Sequence, residues 1–285
     1  MEFLSARISD VGGGVSNAVG PANFSLRDPR LVVLVHGFNV NRQSGQDGYS
    51  AFGTLLEKYG VQSLSILGQI VGFCWPGDVN IRYISGLFYP GELGPAKASA
   101  ALLANFLVRL RGPQGVPIQV IFVAHSLGSR LALELIKDVL DQPNQTWGRI
   151  EGLCLMAAAV PVGMVDNGNR LARAARAARS RNFFSNSDAV LHWAFPAGET
   201  FAGDGLFPQA VGLFGNPLST WTERFDLQPY NHGDYFRGKG MDDRSARYVA
   251  QFLGAAVSTQ PTVVQPTINS LPPPNVIGSR RIGGS

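Results

Sequence analysis

Cysteine is almost absent: Cys74 and Cys154 are the only two in 285 residues, and both sit in apolar, strand-like runs. Two cysteines so placed offer no disulfide framework and no metal-site spacing. Buried free thiols are expected, which suits a reducing cytoplasm. Charge is scarce too, at 15% of residues against 45% hydrophobic, a composition able to build one large core or two small ones. No linker interrupts the centre of the chain, which favours one. No apolar run reaches the roughly 18–20 residues that span a bilayer. Met1-Glu2-Phe3-Leu4 has no basic stretch leading into an apolar core, so no signal peptide is expected and the predicted location is cytoplasmic. No internal repeat is found.

What charge there is lies unevenly. The net charge is +4, and Arg170, Arg173, Arg176 and Arg179 recur every third residue of an alanine-rich stretch, with Arg181 following. The spacing predicts a helix over 170–181 whose guanidinium groups fan across a broad face. A solvated face is the plain reading. The sharper one is a peripheral contact of Arg170, Arg173 and Arg176 with anionic membrane, at about 1 kcal/mol per basic residue. Nucleic acid is not expected as a partner, because no aromatic-interleaved basic motif accompanies the arginines.

Along the chain, residues 1–30 hold the glycine-rich Val11-Gly-Gly-Gly-Val15 and read as an N-terminal lead, flexible or peripheral. Leu31–Val35 is an unbroken β-branched and leucine run, the pattern of a strand buried on both faces of a parallel sheet. A helix is predicted over Gly48–Tyr59, a strand over Ile66–Trp75, a helix over Pro95–Arg111, and a further strand over Ile150–Ala159. Such alternation demands an α/β domain, here residues 31–257, with a mostly parallel sheet covered by helices on both faces and ligands at the carboxyl ends of the strands. The segment 258–285 is rich in proline and predicts a disordered tail, with a docking peptide as the other reading.

The most informative stretch is Ile121-Phe-Val-Ala-His-Ser-Leu-Gly-Ser-Arg130, where an apolar strand runs into a small-x-Ser-x-Gly turn and on into a helix. In a nucleophile elbow the serine occupies a sharp strand-to-helix turn, and the residues two before and two after it must be small, as Ala124 and Gly128 are. The alternative is a helix N-cap, with the Ser126 hydroxyl satisfying an orphan amide. A serine nucleophile needs an imidazole to take its proton and a carboxylate to orient that ring, in the chain order Ser, Asp or Glu, His. Only His192 and His232 lie downstream of Ser126, and His125 is expected to point away from the serine. His232 is favoured because it lies between a strand-like Trp221–Leu227 and a helical Arg244–Leu253, whereas His192 reads as a surface or pocket-wall residue. Asp188, in a polar turn beyond a short apolar strand, is the preferred acid. Asp166 is its rival, with Asp226 and Asp234 less suitably placed.

Taken together, Val35-His-Gly-Phe-Asn39, Phe73-Cys-Trp-Pro76, Ala124-His-Ser-Leu-Gly128, Asn186-Ser-Asp188 and His232-Gly-Asp-Tyr-Phe236 resemble a bacterial α/β-hydrolase, of a group of serine hydrolases related to lipases and esterases. The resemblance covers about residues 30–255. It implies the α/β-hydrolase fold, a Ser126, Asp188, His232 triad, and no cofactor or metal. It also implies an oxyanion hole from the backbone N–H groups of Phe38 and Leu127. The stretch 195–220, with Phe195, Phe201, Phe207 and Phe214, reads as a lid or pocket wall, or as a surface insertion packed on the body. Trp75, Phe195 and Phe201 are the candidate pocket residues. The activity implied is hydrolysis of small-molecule or lipid carboxylic esters through an acyl-enzyme. A thioesterase or acyltransferase would use the same residues, and a catalytically silent binding module is the reading of a different class.

Overall fold

The computed structural model describes residues 1–12, 14–61, 64–65, 67–78, 85–142, 148–202 and 207–255, with side chains set aside at 64–65, 85–92, 198 and 201–202. The strands are β1 (Glu2–Arg7), β2 (Val15–Gly20), β3 (Arg30–Val35), β4 (Leu64–Ser65), β5 (Gly68–Cys74), β6 (Ile118–His125), β7 (Gly148–Met156), β8 (Arg179–Phe184) and β9 (Glu223–Asp226). The helices are α1 (Arg42–Lys58), α2 (Ser85–Arg109), α3 (Leu127–Leu140), α4 (Val162–Val165), α5 (Ala172–Ala175), α6 (Phe195–Ala202), α7 (Val211–Phe214) and α8 (Arg244–Leu253).

Among the described residues the strands form one sheet in the order β2-β1-β5-β3-β6-β7-β8-β9, with β4 paired to β5. Every pair is parallel except β1 with β2 and β4 with β5. The continuous apolar runs fall in the middle: Leu31–Val35 of β3 and Val120–Ala124 of β6 are inaccessible to solvent, as strands covered on both faces must be. Helix α2 packs with α3, and α1 with α8. From β3 the chain passes outward to β5 and then returns past β3 to β6. The strand order therefore reverses between β3 and β6, and the crevice for a ligand opens beyond their carboxyl ends.

Residues 1–30 supply β1 and β2 at one edge of the sheet, β1 running parallel to β5. The tail 258–285 lies outside the described residues. No helix among the described residues is long and apolar enough to cross a membrane. Both cysteines are buried free thiols, and burial pushes Cys74 up to about 11 and Cys154 to about 12.

The arginine-rich stretch corrects the helix expected over 170–181. Only the single turn α5 is helical, and Arg179 already begins β8. Tertiary partners override local propensity here. Ala174 and Ala175 are buried, and α5 packs on α3. Arg170 forms a forked pair with the carboxylate of Glu134, Arg173 reaches Asp141 and the Leu140 carbonyl, and Arg176 donates to Thr220 Oγ1. The three guanidinium groups thus end on different partners rather than on one helical face.

Candidate active site

Val35 of β3 is in register with Ala124 of β6, so His36-Gly37, which follow β3, stand beside His125 at the end of β6 and the turn at Ser126. Ser126 turns the chain from β6 into α3 with φ 55° and ψ −127°. A side chain rarely tolerates positive φ, and such a residue costs about 1–3 kcal/mol unless its surroundings hold it. Here the Ser126 N–H donates to the Met156 carbonyl at 2.9 Å, and the Ser126 carbonyl accepts from Ala159 at 3.2 Å. Ala157, between those two partners, is itself at φ 46°. Glycine is needed twice at this crossing. A Cβ on Gly128 would stand 2.3 Å from the His36 carbonyl oxygen, and one on Gly37 would stand 2.7 Å from Ser126 Cβ.

The N-cap alternative for Ser126 fails, because its side chain makes no capping bond to α3. The hydroxyl lies 2.8 Å from His232 Nε2, and His232 Nδ1 lies 2.8 Å from Asp188 Oδ2. One neutral tautomer satisfies both contacts: Nδ1–H donates to the carboxylate and Nε2 accepts from the serine. Asp188 is fully buried, and its other oxygen accepts the Leu191 N–H at 3.0 Å, so the carboxylate is oriented from two sides.

The rivals make other contacts. His192 is exposed and its ring lies against Trp193. Asp166 accepts the Asn167 N–H, Asp226 the Gln228 N–H and Asp234 the Asn231 N–H, as turn-forming carboxylates do.

His125, expected to point away from the serine, and Ser185, which the sequence does not single out, brace this line. His125 faces the site: its Nε2–H donates to the His232 backbone carbonyl at 2.7 Å, and the two rings lie 4.9 Å apart. Desolvation by burial, then the neighbouring His232, push His125 down to about 3, which keeps the ring neutral, and the carbonyl contact requires its proton on Nε2. Ser185 Oγ donates to the Tyr230 carbonyl at 2.7 Å, a second tether on the loop that carries His232. The only signal in the sequence was the adjacency of His125 to Ser126.

The loop His36–Asn39 is fixed from below. The His36 N–H donates to the Tyr49 hydroxyl at 2.7 Å, which itself donates to the Phe73 carbonyl at 2.7 Å. Trp75, expected in the pocket wall, is fully buried beneath this loop. Its indole N–H donates to the His36 carbonyl at 2.9 Å and stacks on the imidazole at 5.5 Å. His36 Nδ1–H donates to Gly37 O at 2.9 Å, and burial, the largest influence, lowers this ring to about 4. Asn39 N–H donates to Gly77 O at 2.5 Å.

On the other side of Ser126, a π-helical turn, Val190–Ala194, leads from Asp188 into α6. Phe195 is buried, Phe207 and Phe214 are exposed, and the side chain of Phe201 lies outside the described residues. The segment is anchored through Glu199, whose carboxylate stands 3.7 Å from Arg130 of α3. Arg130 also donates to Glu134, the partner of Arg170. Burial opposes ionisation of Glu134, but hydrogen bonds from Arg170 and Arg130 prevail and hold its carboxyl below the usual range.

Several solved structures are similar in outline. A monoacylglycerol lipase of Paleococcus ferrophilus is 13% identical over 81% of this chain and 96% of that one, with a TM-score of 0.41. Acyl-protein thioesterase 2 of Zea mays is 15% identical over 82% of this chain and 97% of that one, with a TM-score of 0.42. A hyperthermophilic esterase from the archaeon Pyrobaculum calidifontis is 12% identical over 81% of this chain and 76% of that one, with a TM-score of 0.42. No curated protein matches the chain. Residues 23–195, more than half of the chain, match a family described as alpha/beta hydrolase of unknown function (DUF900), and with the sheet order and the strand-elbow-helix geometry above, the chain belongs to that alpha/beta hydrolase family.

Proposed function

We propose that the chain is a serine hydrolase that cleaves carboxylic esters through an acyl-enzyme, with Ser126 as nucleophile, His232 as general base and Asp188 as the group that orients the base. The observation that carries this reading is where the Ser126 hydroxyl spends its hydrogen bond. At a strained turn beginning a helix it is directed at His232 Nε2, 2.8 Å away, and not at an α3 amide. Such an arrangement activates an otherwise weak nucleophile.

As Ser126 Oγ bonds to the acyl carbon, its proton passes to His232 Nε2 and the carbonyl electron pair moves onto oxygen. The imidazolium gains a favourable partner in the buried Asp188 carboxylate at Nδ1. Collapse of the tetrahedral species expels the alcohol, which takes the proton from Nε2. A water then repeats the sequence, delivering its proton to His232 and releasing the acid. The N–H groups of Phe38 and Leu127 are the proposed donors to the oxyanion. Leu127 opens α3, so no preceding helical turn supplies an acceptor for its N–H. Losing one such donor costs about 2.7–4 kcal/mol of transition-state stabilisation.

The test is a matched pair of substrates, butyrylcholine and butyrylthiocholine, assayed with wild type and Ser126→Ala. The proposal expects Ser126-dependent turnover with the larger kcat/KM on the oxyester. A larger value on the thioester would move the assignment to a thioesterase. Turnover of neither, by a folded chain, would favour a binding module.

A further inference from the structure

We propose that Arg7 is a positioning residue for the His36–Asn39 loop: its buried guanidinium ties the N-terminal strand to both ends of the structure that holds the proposed oxyanion donor in place. Its catalytic consequence rests on the hydrolase reading above; its mechanical one does not. Arg7 closes β1, in the part of the chain that precedes the family match at residue 23.

The Arg7 side chain has no solvent exposure, and its five N–H donors all find acceptors. Nε donates to Ser9 O at 3.0 Å, and Nη2 to Asp10 O at 3.1 Å and to the Asp78 carboxylate. Nη1 donates to Trp75 O at 3.0 Å and to Val40 O at 3.3 Å. Val40 follows the loop directly, and Trp75 is the residue on which His36 rests. Asp78 closes the arrangement by accepting the Gly12 N–H at 3.0 Å. Phe38 and Asn39 are thus held between two points fixed by one cation. A planar fork with donors in several directions suits this task, whereas an ammonium cannot span it. Oxyanion donors are effective only when they are in place before charge develops. A residue that keeps the loop from relaxing therefore acts on kcat without touching substrate.

The experiment uses the full chain as wild type, Arg7→Lys and Arg7→Ala. It reads hydrogen exchange at the amides of residues 36–40, with β6 and α3 as internal references, together with the rate of fluorophosphonate labelling at Ser126. In Arg7→Ala the loop amides should exchange at least about tenfold faster while β6 and α3 keep their protection, as local opening requires. Labelling should slow by on the order of 10–100-fold, the scale of a misplaced oxyanion donor. Arg7→Lys should fall between, and free guanidinium below denaturing concentrations should restore part of both losses in Arg7→Ala. Unchanged loop exchange overturns the proposal, and so does an equal loss of protection across β6 and α3. Should Arg7→Ala not fold, Asp78→Ala, which removes the carboxylate acceptor and leaves the four carbonyls, must loosen 36–40 more than β6, or the proposal fails. A wild-type chain that takes no label at Ser126 refutes the hydrolase reading alone, because loop exchange still decides whether Arg7 holds the loop.

Discussion

The two sides of Ser126 are held by different physics. Towards β5 and β1, the His36–Asn39 loop rests on buried polar groups: Tyr49 on the His36 amide, Trp75 on its carbonyl, and Arg7 on the carbonyls of Val40 and Trp75. Beyond Asp188, Val190, Trp193, Phe207, Phe214 and Leu218 are all exposed. In that segment the buried carboxylate of Glu199 stands 3.7 Å from Arg130 of α3. Fixed dipoles serve a place where charge develops, because any movement there costs stabilisation in the transition state. Exposed apolar side chains serve contact with carbon, which needs area more than angle. On the hydrolase reading, the first side sets the rate and the second sets which acyl chains are accepted.

The largest effect should come from breaking the line between the two sides. Ser126→Ala and His232→Ala should each lower turnover by about 10⁴–10⁶, and the double variant should lose little more, because the groups act as a unit. Additive losses in kcat would separate them and refute the pairing.

Next in size is steric damage to the rigid side. Gly37→Ala introduces a Cβ 2.7 Å from Ser126 Cβ and 3.2 Å from Oγ, so the serine must shift against its bond to His232. A displacement near 1 Å costs on the order of 10²-fold in kcat. Activity within a few-fold of wild type in steady-state assays would show that the loop gives way, and the contrast between the sides would be lost.

Acid should weaken the rigid side first. Burial lowers His36 to about 4 and His125 to about 3, both from 6.5. The unfolded chain therefore binds more protons than the folded one below pH 6.5, and stability falls as pH falls towards those values. For His36 the loss at pH 5 is about 2 kcal/mol. Urea unfolding at pH 7 and pH 5 measures the combined loss, and His36→Gln should remove His36's share of it and leave that of His125; an unchanged difference in that variant would remove His36 from the account.

The smallest effect belongs to the open side. Trp193 is 74% exposed, so Trp193→Ala should change stability by no more than about 0.5 kcal/mol. KM should rise for p-nitrophenyl esters of long acids and stay level for the acetate, with kcat unaltered. A kcat loss on the acetate would put Trp193 on the rate-setting side.

How far each side is legible in the sequence follows from the same physics. An elbow is a local steric problem, so Ala124, Ser126 and Gly128 announce it within five residues. Chain order narrows the partners, and placement in loops beyond strands then favours Asp188 and His232, which stand hydrogen-bonded in one line with the serine. The alternation of apolar runs with helical periods carries the parallel sheet. Polar groups whose partners are remote leave no comparable trace. Arg7 lies 68 residues from Trp75 and 71 from Asp78, and Arg170 lies 36 from Glu134. Spacing along the chain therefore made the arginines of 170–181 look like one solvated helix, when Arg170 is drawn to a buried carboxylate and β8 begins at Arg179. Trp75 misled in the same way: an aromatic at a strand end reads as pocket wall, yet its indole N–H is spent on the His36 carbonyl.

The central claim is that the folded chain makes Ser126 nucleophilic through His232. Peptide mapping of the fluorophosphonate adduct, on the native chain and after denaturation in urea, tests it most directly. The account predicts a single adduct, on Ser126, formed in the native chain, absent after denaturation and absent in His232→Ala. An adduct on another serine, or labelling of Ser126 that survives denaturation or the loss of His232, would contradict it.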